Sequence, residues 1–128
     1  MPPLVDPVPS DQQLPDSTEV AIIGGGIIGV SIALTLAERG IPVVLFEKGH
    51  IAGEQSSRNW GWCRQQGRDP RELPLIIESL ALWRKMHQRT GCDVGFRQGG
   101  ILYLANTPKD VANREAWLQH GLAHGVES

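Results

Sequence analysis

Apolar positions run almost unbroken from Val20 to Ile23, recur at helical spacing as far as Leu36, and run unbroken again from Val43 to Phe46. The pattern predicts a strand at about Glu19 to Ile23, with the continuous apolar character of a parallel strand buried on both faces. A helix follows from about Ile27 to Arg39, with Ile28, Ile32 and Leu36 at i, i+4 and i+8 and a stop at Glu38, Arg39 and Gly40. Val43 to Phe46 predicts a second strand, which a right-handed crossover makes a parallel neighbour of the first. The segment 49–70 is then a long connection, of the kind that is functional or disordered. Its Trp, Cys and Ser content argues against plain disorder. Asp69-Pro70 marks a helix start, with Asp69 as N-cap. Leu73, Ile76, Ile77, Leu80, Trp83 and His87 form that helix's stripe, and Thr90-Gly91 ends it. Val94 to Phe96 and Ile101 to Leu104 predict two short strands, a candidate hairpin. Thr107-Pro108 opens a last helix expected to turn Val111, Leu118 and Leu122 inward. Residues 1–17 hold five prolines and no periodicity, and predict a disordered leader.

The turn between the first strand and the first helix carries the pattern G-x-G-x-x-G at Gly24, Gly26 and Gly29, with Ala33, Gly40 and Glu47 beyond it. Each position suits an adenine dinucleotide. Gly24 turns the chain sharply out of the strand. Gly26 lets the backbone approach a pyrophosphate. Gly29 and Ala33 keep the helix thin where it meets the sheet. The helix N-terminus offers N–H groups and partial positive charge to phosphates. Glu47, at the carboxyl end of the second strand, is placed to accept from ribose hydroxyls. Glycines that serve only tight packing are the competing account, and they leave the terminal acid unexplained.

Bulk properties change this picture little. At 128 residues the length fits one domain, and 41% hydrophobic content is ordinary for a globular protein. A formal charge of -2 gives no reason to propose nucleic acid as a partner. Arg58, Arg64, Arg68 and Arg71 cluster in one short span, which reads either as a solvated loop or as a segment near an anionic cofactor or carboxylate substrate. Cys63 and Cys92 form no C-x-x-C pair and no zinc spacing, so a reduced, cytoplasmic protein is the simplest expectation. His120 and His124 share a helix face but lack a third ligand, so no metal site is expected. No 18-residue apolar run is present, and no Lys or Arg precedes Arg39, which leaves a signal peptide unsupported.

Together, the fingerprint, Glu47-Lys48-Gly49, the run GEQSSRNWGW, the helix ELPLIIESLALW and the later GGILYLA resemble the N-terminal part of the FAD-dependent D-amino acid oxidase/dehydrogenase family. That group includes glycine and sarcosine oxidases and related amine dehydrogenases. The resemblance covers nearly everything from Thr18 onward. It implies FAD as cofactor, with Gly24, Gly26, Ile27, Ile28 and Gly29 around the pyrophosphate, Glu47 on the adenosine ribose and Lys48 beside the adenosine. Ser56 and Ser57 would bond phosphate oxygens, against the alternative of a simple capped turn, and Arg58 and Asn59 would approach the flavin. Trp60 and Trp62 would wall the flavin or pack in the core, and Arg64 is a candidate for the substrate side. No histidine lies between Ile51 and Met86, so a covalent flavin link through this loop is unsupported. The implied reaction oxidises the C–N bond of an amino acid by hydride transfer to flavin N5, with hydrolysis of the imine to an oxo acid. D-amino acid, glycine and N-substituted amino acid all remain open, as does oxidase against dehydrogenase.

The expected fold is therefore α/β, a Rossmann-like FAD-binding βαβ unit with the beginning of a second, mixed α+β substrate domain. Residues 18–91 would be the N-terminal part of the FAD-binding domain and 92–128 the start of the substrate domain. Because family members are longer, the chain is expected to be a fragment or one piece of a larger assembly, and is not expected to turn over substrate alone. An NAD-dependent dehydrogenase and a non-catalytic FAD-binding subunit are the two alternatives.

Overall fold

The computed structural model describes residues 4–128, so the first three residues of the proposed leader lie outside the described part. Residues 4–17 contain no helix or strand. The chain forms two compact units, the first ending at Gly61 and the second spanning Trp62–Ser128.

In the first unit, β1 (Val20–Ile23) pairs in parallel with β2 (Val43–Phe46), in the register Val20↔Val43 to Ile23↔Phe46. Helix α1 (Ile27–Glu38) joins them and packs on both strands. These bounds fall within a residue of those expected. The helix ends because Gly40 adopts φ +70°, which lets its N–H reach Ala37 O and the Ile41 N–H reach Leu36 O. That pair of bonds satisfies carbonyls the helix leaves open. A short helix α2 (Gln55–Arg58) closes the unit.

Alternation along the strands sorts their side chains. Ile22, paired with Leu45, is buried under α1, with its Cγ2 3.3 Å from where a Cβ on Gly29 would sit. Ile23 and Phe46 project from the opposite face and are 92% and 43% exposed. The expectation that β1 is buried on both faces is corrected here: no element of the first unit covers that second face. On α1 the apolar row chosen from sequence is likewise not the packed one. Ile28 and Ile32 are exposed, whereas Gly29 is buried on the sheet side.

In the second unit, Asp69 caps a 3-10 turn (Pro70–Glu72), its carboxylate accepting from the Arg71 N–H at 2.9 Å. The Arg71 side chain and N–H together hold the Asp69 carboxyl down to about 2. Helix α3 (Leu73–Thr90) follows, and Gly91, at φ +70°, stops it where expected. Leu73 is completely buried, and Ile76, Ile77, Leu80 and Trp83 are half-buried along one face. His87 is exposed. Helix α4 (Pro108–Ala123) opens with a reciprocal cap, Thr107 Oγ1 accepting from the Asp110 N–H and the Asp110 carboxylate accepting from the Thr107 N–H. It closes as α1 does: Gly125 N–H reaches Leu122 O, Val126 N–H reaches Gly121 O, and Val126 is buried. No helix among the described residues is long and apolar enough to cross a membrane.

Two expectations for this unit are corrected. Neither Val94–Phe96 nor Ile101–Leu104 forms a strand. Instead Phe96 stacks on Trp83, with ring centroids 6.0 Å apart, and the Tyr103 hydroxyl donates to Gln66 O at 2.9 Å. Only Leu118 of the three residues assigned to the inner face of α4 is half-buried; Val111 and Leu122 are exposed. Trp117, one position earlier, makes the inward contact by donating from Nε1 to Arg68 O at 2.7 Å.

Two substitutions test these elements. A Cβ on Gly29 would lie 2.0 Å from the Gly24 carbonyl oxygen, a backbone atom that cannot swing aside. Gly29→Ala is expected to destabilise the first unit by about 2 kcal/mol, read from the urea midpoint. Thr107→Ala removes the cap of α4, and is expected to cost about 1 kcal/mol and to speed amide exchange in its first turn.

Candidate functional site

All the residues expected to hold a dinucleotide, from Gly24 to Asn59, lie in the first unit. Gly24 sits at φ +106°, a backbone region hostile to other residues, and its N–H donates to Phe46 O at 2.8 Å. The turn is therefore tied to the end of β2 as it leaves β1. Gly26 is the N-cap of α1. It has no side chain to close the helix end, and the first turn carries no acidic residue. The helix thus brings no residue of its own to cap or neutralise its positive terminus.

Two groups reach this terminus from beyond β2. The Glu47 carboxylate accepts from Gly25 N–H at 2.7 Å through one oxygen and from Gly49 N–H at 2.8 Å through the other. These bonds, that of Gly25 first, hold its carboxyl below the usual glutamate range, with the Lys48 charge assisting. From α2, Ser56 Oγ accepts from Ile27 N–H at 2.8 Å, and a Cβ on Gly26 would lie 3.1 Å from that same oxygen. Ser56 is therefore at the glycine turn.

Its neighbours are engaged elsewhere. Ser57 Oγ donates to Glu54 O at 3.0 Å, a turn of α2 itself. Lys48 and Arg58 each lie 3.6 Å from the Glu54 carboxylate. Asn59 folds its side chain back, the amide donating to Ser56 O and the amide oxygen accepting from Gly61 N–H. Ile27 contributes its backbone N–H, Ile28 makes no hydrogen bond to the Glu47 or Ser56 side chain, and both isoleucine side chains are exposed. Of the residues named from sequence, the structure brings Gly24, Gly26, Ile27, Gly29, Glu47 and Ser56 together. Lys48, Ser57, Arg58 and Asn59 instead make their contacts around α2, with Glu54, Ser56 and Gly61. Arg64 belongs to the second unit, where its guanidinium donates to Gln66 O and to the Tyr103 hydroxyl.

Sequence reasoning missed Gly25, Ile51 and Ala52. Gly25 is buried, its carbonyl accepts from Ala52 N–H at 2.9 Å, and Ile51 lies over it. Only the run of three consecutive glycines, Gly24 to Gly26, hinted at this.

The arrangement offers N–H groups at a helix end, one hydroxyl and an oriented carboxylate, the donor and acceptor set of a dinucleotide cradle. Residues 19–128 match the family described as FAD dependent oxidoreductase. The chain belongs to this family. The family is FAD-dependent, and FAD is the cofactor that membership assigns.

The chain is 35% identical over 100 residues to a glycine oxidase of Geobacillus kaustophilus, covering 73% of this chain and 26% of that protein. It is 35% identical over 106 residues to the mitochondrial dimethylglycine dehydrogenase of Homo sapiens, covering 82% and 12%. Among solved structures, an L-amino acid deaminase from Proteus vulgaris superposes with a TM-score of 0.85 at 31% identity, over 98% of this chain and 29% of that one. An L-proline dehydrogenase from P. horikoshii gives 0.79 at 33%, over 88% and 29%. The chain thus spans less than a third of each relative.

The state of Glu47 is testable by acidification. Its folded carboxyl titrates below the unfolded one, so its two bonds stabilise the turn fully above the ordinary glutamate value and are lost as pH falls through the depressed folded value. The Gly25 and Gly49 amide proton shifts are expected to hold steady from neutrality through the ordinary glutamate range and to move together below it. Movement of neither, or of one alone, would contradict the shared carboxylate.

Proposed function

We propose that this chain supplies the adenine-dinucleotide cradle of an FAD-dependent enzyme that oxidises the C–N bond of an amino acid. The observation that carries the reading is the joint arrival of Glu47 and Ser56 at an α1 N-terminus that brings no cap of its own. Gly24, Gly26, Ile27, Ile28 and Gly29 would lie along the pyrophosphate. Their backbone N–H groups and the helix end balance its charge. Ser56 would donate its hydroxyl proton to a phosphate oxygen while its own oxygen keeps the Ile27 N–H. Glu47 would accept from the adenosine ribose hydroxyls with the acceptor capacity its two backbone bonds leave free. Lys48 would stand beside the adenosine, Ser57 would back the phosphate-binding turn, and Arg58 and Asn59 would lie towards the flavin. FAD, when bound, supplies the two-electron acceptor for the oxidation.

The substrate class follows from relatives named for glycine, dimethylglycine, sarcosine, L-amino acids and L-proline. What these names share is a carboxylate one carbon from an amine. We assign residues 18–91 to the FAD-binding domain and 92–128 to the start of a mixed α+β substrate domain. The open face carrying Ile23 and Phe46 calls for a covering layer, from further residues of the same polypeptide or from a second chain. One relative is itself a beta subunit of a sarcosine oxidase, from Arthrobacter sp, which gives the second-chain version a precedent. Activity would then belong to the completed assembly.

The reading is tested by titrating the natively purified protein with FAD and with NAD, following flavin absorbance and protein fluorescence. FAD is expected to bind and NAD not. Gly26→Val, which forces a side chain into the phosphate approach, is expected to weaken FAD at least tenfold while leaving the far-ultraviolet circular dichroism unchanged. NAD binding without FAD would favour a nicotinamide dehydrogenase instead.

A further inference from the structure

Gly25 is not one of the three fingerprint glycines, yet every part of it is in use. Its N–H donates to Glu47 Oε2 at 2.7 Å, and its carbonyl accepts from the Ala52 N–H at 2.9 Å. A Cβ at this position would lie 2.4 Å from Ile51 Cδ1, 3.1 Å from Glu47 Cβ and 3.2 Å from Glu47 Cγ. The residue is buried. Ala52, which grips the carbonyl, is the one residue other than glycine at positive φ, +60°, among the described residues. An alanine in that region costs energy that surrounding contacts must offset, and the bond to Gly25 is one such contact.

We infer that Gly25 is the positioning residue for the Glu47 carboxylate, and that Ile51 and Ala52 latch the middle of the glycine turn so that this carboxylate faces the ribose site before any ligand arrives. The inference rests on the proposed dinucleotide reading and deepens it.

The two crowded neighbours respond differently to a side chain at position 25. Ile51 Cδ1 is the free end of a side chain and can rotate away. Glu47 Cβ and Cγ form the stem of the carboxylate, hung from the end of β2, so they can give only by re-aiming its oxygens. Tilting the stem lengthens the Gly25 bond and turns the remaining acceptor lone pairs away from the ribose. Hydrogen bonds to a charged group weaken steeply with such misalignment. Losing one ordinarily reduces binding by about tenfold or more. The middle glycine of the run thus serves the adenosine end of the ligand, and not the pyrophosphate end that Gly24, Gly26 and Gly29 serve.

The experiment is a double-mutant cycle on FAD affinity with Gly25→Ala and Glu47→Ala, extended by Gly25→Ala/Ile51→Ala. Each of the first two is expected to weaken FAD about tenfold, and the Gly25→Ala/Glu47→Ala double to be no weaker than Glu47→Ala alone. Losses that multiply in the double would overturn the inference, since Gly25 would then act independently of Glu47. Wild-type affinity in Gly25→Ala/Ile51→Ala would overturn it too, by showing that the clash with Ile51 was the whole effect. A second measurement stands apart from ligand and from the fold of Gly25→Ala: the Gly25 amide proton in the ligand-free chain, with and without Glu47→Ala. An upfield move on losing Glu47 supports the positioning bond, and an unmoved resonance refutes it. If the wild-type chain takes up no FAD, the proposed function fails, while this amide still decides whether Gly25 holds Glu47.

Discussion

The first unit depends on one close approach, the Gly24 carbonyl lying under Gly29. A Cβ at Gly29 would sit 2.0 Å from that oxygen, so β1 and α1 can meet at this angle only because residue 29 has no side chain. The consequences spread outward. Gly24 takes φ +106° to leave the strand, its N–H closes onto Phe46 O, and the ends of both strands are fixed beside the helix terminus. Only then is the next residue of the chain, Glu47, within reach of Gly25. The local geometry of two glycines therefore sets the position of an acid at the far end of the βαβ unit.

Glu47 joins structure and chemistry in the same atoms. An ionised carboxylate offers about four acceptor directions. Two are taken by Gly25 and Gly49, which fix the rotamer and lower the proton affinity. The rest remain available to a ligand. An acid held this way loses little further freedom on binding, and that is where preorganisation gains affinity. Ser56 repeats the arrangement: its oxygen accepts from the helix N–H of Ile27, and in the proposed reading its proton would serve a phosphate. In both cases a bond that stabilises the fold also fixes the direction of the group that the proposed reading places against the ligand.

What could be read from sequence follows the range of the interactions involved. β1, α1 and β2 emerged within a residue because their signals are local: an apolar run, a helical recurrence, a glycine stop. The caps at Asp69 and Thr107 were legible for the same reason, since the acceptor and the N–H it satisfies lie two or three residues apart. The hairpin was not. Strand pairing is a contract between distant segments, and Phe96 and Tyr103 find their partners in Trp83 and in the 64–66 stretch. The inner face of α4 was misjudged by one position, because Trp117 follows a hydrogen bond to Arg68 O that no periodicity reveals. The latch on Gly25 was invisible for another reason. Ala52 adopts a conformation that alanine does not advertise.

The uncovered faces were legible in a different sense. A strand reading V-A-I-I carries no polar alternation, the mark of burial on both sides, and α1 has isoleucines on the row facing away from the sheet as well. The structure shows one face of β1 on α1 and the other open, with Ile23 92% and Ile28 75% exposed. Sequence and structure disagree here because an apolar run reads as burial on both faces, while within the first unit only α1 covers β1. Such surface is costly in water and stable against another apolar layer. The glycine turn is held without such a layer, by Gly29 under Gly24, Phe46 O on Gly24, Glu47 and Ala52 on Gly25, and Ser56 on Ile27. The dinucleotide cradle and the apolar face beside it are thus separable physical problems. The bonds that shape the first all lie within the first unit, whereas the second is an exposed apolar surface that only another apolar layer would stabilise.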